Sequence, residues 1–512
     1  MALITAIVLA IAVAPVRGDD LSEAATHLVD LNVIAVDSHG LAVSDLTSDD
    51  FEVTDAGKPE KIAFFHHTDT SVWQLPLLGP NQYSNRGSPR IPYATIILFD
   101  LMNEGFGSRG FAWSQIVHGL ENLESSDYLY LYILTVDGRL FIVHGLAKDG
   151  QRGHAADAVP WTRQIKPLME DSMRKVTSIR PVDIDIATRV QLTFQALESL
   201  AVQMYRVPGR KNIVWVTDGV PIALGPQRSD TGDFVDFTEQ LRTLSEMLDR
   251  AGVAIYPARQ VIFGAGDSIG DTSGSGETGG EETGMSSIET LNELSSMTGG
   301  RTNTGKDVAT VVKQAMNDVR TNYQMGYDAP PENWDNKFHK IRVICKRKGV
   351  RIQAKSGYYA WAQLPGMRSR EAFESAKSTV FDAAEIGLRA GVSVDPKDGR
   401  VARFDLSIDA HDVFMAHDGN NYTAQLRLSV VHYLTNGKTD SEDTIPIDLH
   451  YNAQEHEQAL KDGITIAQDL PASQNGKQFR IIVFDRGSNA IGSLTVPDYD
   501  NSKLLLPQLN GR

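Results

Sequence analysis

Two carboxylates are set apart by where they fall in the chain. Asp100 closes the apolar run Tyr93-Ala-Thr-Ile-Ile-Leu-Phe-Asp100, and Asp218 closes Asn212-Ile-Val-Trp-Val-Thr-Asp218 just before Gly219. Carboxylate oxygens are hard donors, suited to magnesium or calcium, which take oxygen ligands and keep waters. Two such groups at the ends of two strands are the best place to look for a site. Histidine offers less. His66 and His67 are adjacent in a strand-like run, so they point to opposite faces and cannot share one ion on regular backbone. His118, His144 and His154 are scattered and read as surface or structural. Cys345, the single cysteine, sits in the alternating run Lys340-Ile-Arg-Val-Ile-Cys-Lys346 and reads as a small core residue. No disulfide can form within the chain.

The elements that must position Asp100 and Asp218 are legible in outline. Both runs are short and rich in β-branched residues, as in strands buried on both faces. A helix is predicted near 111–123, with Ile116, Leu120 and Leu123 on one stripe. Another spans 188–206 and a third 234–250, the latter stopped by Gly252. Strands at 128–134 and 140–143 flank the hairpin signal Asp137-Gly138, and Val253–Pro257 adds one more. Alternating strands and helices argue for a mostly parallel sheet, doubly wound by helices, whose crevice lies past the carboxyl ends of its strands.

Before this region, residues 27–67 read as β throughout, with turns at Asp55-Ala-Gly57 and Lys58-Pro59. After it, strand patterning returns at 323–327, 339–345 and 350–354. The two flanks are each too small to bury a core alone, so segments 25–70 and 323–360 are expected to pair into one β module. The α/β domain, 90–320, would be inserted in it. A polar linker covers 361–378, and alternating runs over 379–512 predict a C-terminal β-sandwich. At 512 residues the chain has room for three or four domains.

Composition narrows the partners. A net charge of −16 disfavours nucleic acid and anionic membranes. The first 18 residues are apolar as far as Val16 and lack a basic start, and they read as a signal peptide. No later segment has the length and apolarity of a membrane span, so the mature chain is expected to be secreted, periplasmic or in the cell envelope. Two glycine-rich matches are set aside. Gly300-Arg-Thr-Asn-Thr-Gly-Lys306 fits a phosphate loop until Asp307, where a hydroxyl should ligate magnesium; it reads as the start of a helix, with Thr304 as cap. Gly264–Gly270 lies in a Gly/Ser/Thr/Glu tract and reads as loop composition.

The order of these elements, with Asp100 ending the first strand and Asp218-Gly219 ending a later one, resembles a von Willebrand factor type A domain. In that family the first strand ends in Asp-x-Ser-x-Ser, and a later Thr and a strand-end Asp complete a divalent-cation site. By position Asp100 and Asp218 match the two Asp. Met102 and Glu104 stand where the Ser belong, and Thr188 takes the place of the Thr. Met102 cannot bind a hard cation, whereas Glu104 can. The resemblance thus implies a magnesium or calcium site from Asp100, Glu104, Asp218 and Thr188 with waters. More narrowly, Leu31–Phe65, Gly209–Trp215, Val253–Pro257, Leu294–Gly300, Tyr323–Tyr327 and Ser356–Tyr359 together resemble the bacterial VWFA-related family of exported proteins. That likeness spans about residues 25–360.

Enzymatic signatures are thin: the sequence contains no zinc-binding His-Glu-x-x-His, and its Gly-x-Ser-x-Gly string, Gly266–Gly270, falls in the tract already read as loop composition rather than at a strand-to-helix elbow. No catalytic residue is assigned. The leading expectation is an adhesion-type exported protein that binds a protein partner at the strand-end crevice, with a divalent ion shared between them. Its rim would be shallow and hydrophobic, with Leu101, Met102, Phe106 and Val220. The rivals are an extracytoplasmic metal-dependent hydrolase using the same carboxylates, and a structural envelope protein with no site.

Overall fold

Tyr93–Asp100 folds into a strand at the centre of a five-stranded sheet. The order across it is Val253–Ala258, Arg210–Val216, Tyr93–Asp100, Leu129–Leu134 and Leu140–Gly145. The first four run parallel, and the fifth returns antiparallel through the Asp137-Gly138 turn. Strand periodicity sends alternate residues to opposite faces. Ile96, Leu98, Ile213, Trp215 and Ile255 meet the helices Ile186–Met204 and Thr238–Arg250 on one face. On the other, Ile97, Phe99, Val214, Val216 and Tyr256 meet Arg109–Glu121 and Val308–Arg320. The computed structural model describes residues 28–498 except 70–77, 79–80, 86–92, 104–108, 122–128, 146–169, 177–183, 208, 221–226, 229–233, 259–279, 302–306, 331–332, 362–368, 380, 398, 419–420, 435–437, 471–475 and 489. The expected signal peptide, the Gly/Ser/Thr tract up to 279, Glu104, Phe106 and Thr304 lie outside the described residues.

The chain as a whole corrects the expected class, an α/β protein built on a doubly wound sheet of von Willebrand factor A type. It is strand-rich, with 24 strands in six sheets among the described residues. Parallel pairing is confined to three strand pairs of the one mixed sheet; the other five sheets are antiparallel throughout. The reason lies in the flanks. Short alternating strands joined by tight turns cannot bury both faces, so they pair antiparallel and lay one face on a shared core.

The first of these cores joins chain segments far apart in sequence. Leu28–Val36 pairs with Thr321–Asp328 and with Arg351–Gln353, while Phe51–Asp55 pairs with Phe338–Cys345. Leu31, Val33, Phe51, Val53, Tyr323 and Met325 fill the space between the two sheets. His67 stacks on Tyr323 at 4.6 Å, whereas His66 is exposed. Thr298-Gly299-Gly300 joins this unit to the mixed sheet. A Cβ on Gly300 would lie 1.8 Å from the Ile255 carbonyl oxygen, so only glycine fits. The Gly299 carbonyl accepts from Arg210 at 2.9 Å and from Gln353 at 2.8 Å.

The C-terminal half forms two antiparallel sheets that face each other across one core, including Phe404, Leu406, Leu428 and Ile481. One of these sheets takes its edge strand, Gln82–Ser84, from the segment that precedes the mixed sheet. Part of the expected linker, Ser369–Ser378, is a helix whose Phe373 and Ala376 pack against Val431 and Ile482 of the other sheet. No helix among the described residues is long and apolar enough to cross a membrane.

Candidate functional site

Asp100 ends its strand fully buried. One carboxylate oxygen, Oδ1, accepts from the Asn103 backbone N–H at 3.0 Å. The other, Oδ2, accepts from Asn103 Nδ2 at 2.8 Å, Trp215 Nε1 at 3.0 Å and Thr217 Oγ1 at 3.1 Å. Burial drives the carboxyl pKa above its ordinary value, and the donors from Asn103, Trp215 and Thr217 oppose that rise. The group therefore ties the end of its own strand to the end of Arg210–Val216 and to the turn at Leu101–Asn103. From there Asn103 Nδ2 also donates to Thr193 Oγ1 at 2.8 Å, bringing in the helix Ile186–Met204. The Asn103 Oδ1 atom is buried with no hydrogen-bond partner.

Of the four residues expected to hold a cation, Asp100, Thr188 and Asp218 are among the described residues, and Asp100 and Thr188 are each committed to hydrogen bonds within the protein. Thr188 lies in the first turn of its helix, where its amide and hydroxyl both donate to the N-cap Asp185, at 2.9 and 2.7 Å. The hydroxyl that reaches the Asp100 network belongs to Thr193, five residues and about 7.5 Å further along the helix axis. Asp218 is half-buried at the following turn, where Gly219 adopts φ 116° and donates its N–H to Thr217 Oγ1 at 3.1 Å. Glu104 is outside the described residues.

The donor chemistry does not fit a cation bound directly by Asp100. The indole, amide and hydroxyl hydrogens already point at its Oδ2, where they would meet a positive ion head-on. Among the described residues no group of three or more His, Cys, Asp or Glu side chains is arranged to hold a metal ion.

The expected hydrophobic rim is also corrected. Leu101, Met102 and Val220 are all buried, Met102 and Val220 in one core of the mixed sheet and Leu101 in the other. Met102 and Thr193 touch, Sδ to Oγ1, at 3.7 Å. The thioether that cannot serve a hard cation is thus a packing group.

Thr193, Thr217, Trp215 and Asn103 were missed from sequence, yet each left a signal. Thr193 lies three residues after Val190 and four before Leu197, within the apolar stripe, so its hydroxyl has to face inward. Trp215 and Thr217, the latter just past the strand's end, are two residues apart and so fall on one side of the extended run, and a buried indole N–H demands an acceptor. Asp307, which spoils the phosphate-loop match, is the helix cap in place of Thr304: its side chain accepts from the Thr310 N–H at 2.8 Å.

A second buried carboxylate, Asp55, knits the first β module. It accepts from the Tyr327 and Tyr358 hydroxyls, each at 3.0 Å, and lies 3.1 Å from His339 Nδ1. His339 Nε2 lies 3.2 Å from Asp335 Oδ1. The group is enclosed by packed side chains and reads as a structural knot.

No family model matches this chain, and no curated protein matches it. Among solved structures, it is similar to a pilus adhesin, SpaC from Lactobacillus rhamnosus GG, at 8% identity with a TM-score of 0.27. The match covers 89% of this chain and 62% of that one, so the chain spans about three fifths of that adhesin's length. A superposition that loose carries no further argument.

Proposed function

We propose that this is an adhesion-type exported protein that meets a protein partner at the strand-end crevice of its central unit, where Asp218 is the half-buried residue and the buried turns at 101–103 and 217–220 form the floor. The observation that carries the reading is the commitment of Asp100 to four protein donors. With three donors on Oδ2 and one on Oδ1, the carboxylate fixes two turns rigidly relative to one another. Rigid turns on a packed scaffold suit recognition, because little order must be gained on binding. The apolar N-terminus over residues 1–18, and the motif order resembling exported bacterial proteins, support export to the envelope or beyond. In this reading residues 25–70 and 323–360 form one module around the central unit 90–320, and 379–512 forms the last domain.

The test is thermal unfolding of the mature chain with EDTA, magnesium, calcium or manganese, for the wild type and Asp218→Ala. The expected result is one melting temperature in all four conditions for both proteins. A cation-dependent rise of several degrees, lost in Asp218→Ala, would instead assign a divalent ion to Asp218 and Glu104 and overturn the metal-free reading.

A further inference from the structure

We propose that the cleft between helix Val308–Arg320 and strand Arg351–Gln353 binds an acidic saccharide, a polyhydroxylated ligand carrying carboxylate or sulfate. The cavity measures about 570 Å³, within the range that encloses small ligands. Its walls carry Arg301, Lys313 and Arg351 against one carboxylate, Asp318. Three cations less one anion leave a surplus of two positive charges, in a chain whose net charge is −16. Field lines from such a patch concentrate in a cleft and favour anions there.

Arg301 is committed to Asp318, so the surplus lies on Lys313 and Arg351. Asp318 is buried and already engaged by Arg301 Nε at 3.0 Å and by the Tyr256 hydroxyl at 3.0 Å. Arg351 is exposed, and its Nη2 reaches only the backbone carbonyl of Asp37, at 3.3 Å. Lys313 is exposed and has no acceptor among the described residues. Isolated surface cations are ordinary, but these converge from two chain regions whose relative position is fixed. Gln353 Nε2 donates to Gly299 O at 2.8 Å and lies 3.3 Å from the Tyr256 hydroxyl, and Arg210 donates to the same two groups from the mixed sheet. The backbone elements that carry the cations are therefore tied together, with Tyr256 bonded to both Gln353 and Asp318.

The rest of the lining selects the ligand class. Thr310, Gln314, Asn317 and Gln353 line the cleft with hydroxyl and amide groups of the kind that bond sugar hydroxyls; the Thr310 hydroxyl donates to Asp307 and Gln353 Nε2 to Gly299 O, which leaves their oxygens as acceptors, and no aromatic ring is among the described lining residues to stack on a base. The sequence conceals this patch because its cations come from positions 301, 313 and 351 and meet only in the fold. This proposal does not depend on the strand-end turns.

Isothermal titration of the full chain at low salt tests it, using a sulfated uronate disaccharide, digalacturonate, lactose and inorganic phosphate. The expected result is saturable binding of an acidic disaccharide, at least tenfold tighter than lactose or phosphate. Lys313→Ala/Arg351→Ala should weaken that binding at least tenfold with an unchanged melting temperature, since both side chains are exposed. Failure of both acidic sugars to bind at millimolar concentration overturns the proposal. So does phosphate binding as tightly as they do, or a folded double variant that binds like the wild type.

Discussion

Lys211 is a buried amine at the start of a central strand, 2% exposed, donating to the Val207 carbonyl. Burial lowers its pKa from 10.5 to about 7. The unfolded chain binds this proton more strongly than the folded one between those two values, so stability rises with pH across that window. Below about pH 7 both states are protonated and the penalty is at its full size. Each unit of displacement is worth about 1.4 kcal/mol. Lys211→Met should therefore be more stable than the wild type near pH 6, by several kcal/mol less the lost hydrogen bond. The advantage should shrink steadily towards pH 10, as read by urea unfolding across the series. An advantage that does not change with pH would show that the amine is already solvated. Sequence gives little warning here: Gly209-Arg-Lys211 reads as a polar turn before a strand, and only the packing of Gly252 and its neighbours encloses the amine.

Among the elements, the strands ending in Asp100 and Asp218 were legible because burial on both faces demands continuous apolar residues, and such runs are rare. Their carboxylates were legible as important, but their role was not. A strand-end Asp can bind an ion or gather donors, and the choice rests on side chains from other elements. The two threonines of helix Ile186–Met204 show the same limit. The family pattern points to Thr188 at the helix start, whereas helix rotation delivers Thr193. Replacing each by Val separates the two roles. Thr193→Val removes the acceptor for Asn103 Nδ2 in a buried network and should cost about 1–3 kcal/mol. Thr188→Val leaves the Asp185 cap to the backbone N–H and should cost under about 1 kcal/mol. Denaturant midpoints of the two variants decide it, and equal losses would mean that Asn103 does not depend on Thr193.

At the scale of the molecule, sequence order conceals which pieces belong together. The stretch before residue 93 lies between the expected β module and the α/β domain, yet its strand Gln82–Ser84 completes a C-terminal sheet, and Asn85 Nδ2 donates to the Ala383 and Ile386 carbonyls, both at 2.8 Å. The polar segment 361–378 reads as a linker, yet Phe381, three residues past its end, is fully buried in the core of the mixed sheet, 4.7 Å from the Tyr130 ring. Its backbone carbonyl accepts from Arg480, a buried guanidinium that also bonds Asp382, Thr495 and Ser493. One short segment thus inserts its side chain into the central unit and anchors its backbone to the C-terminal one. Neither half can move freely while that holds, so the described chain should unfold as one cooperative unit from Leu28 to Asp498. Phe381→Ala removes the inserted ring and should cost about 3–5 kcal/mol. Because the Arg480 contacts to the backbone remain, the C-terminal sheets should survive and the single calorimetric transition should split in two. Two transitions already present in the wild type would mean that the units are coupled too weakly for the ring to matter.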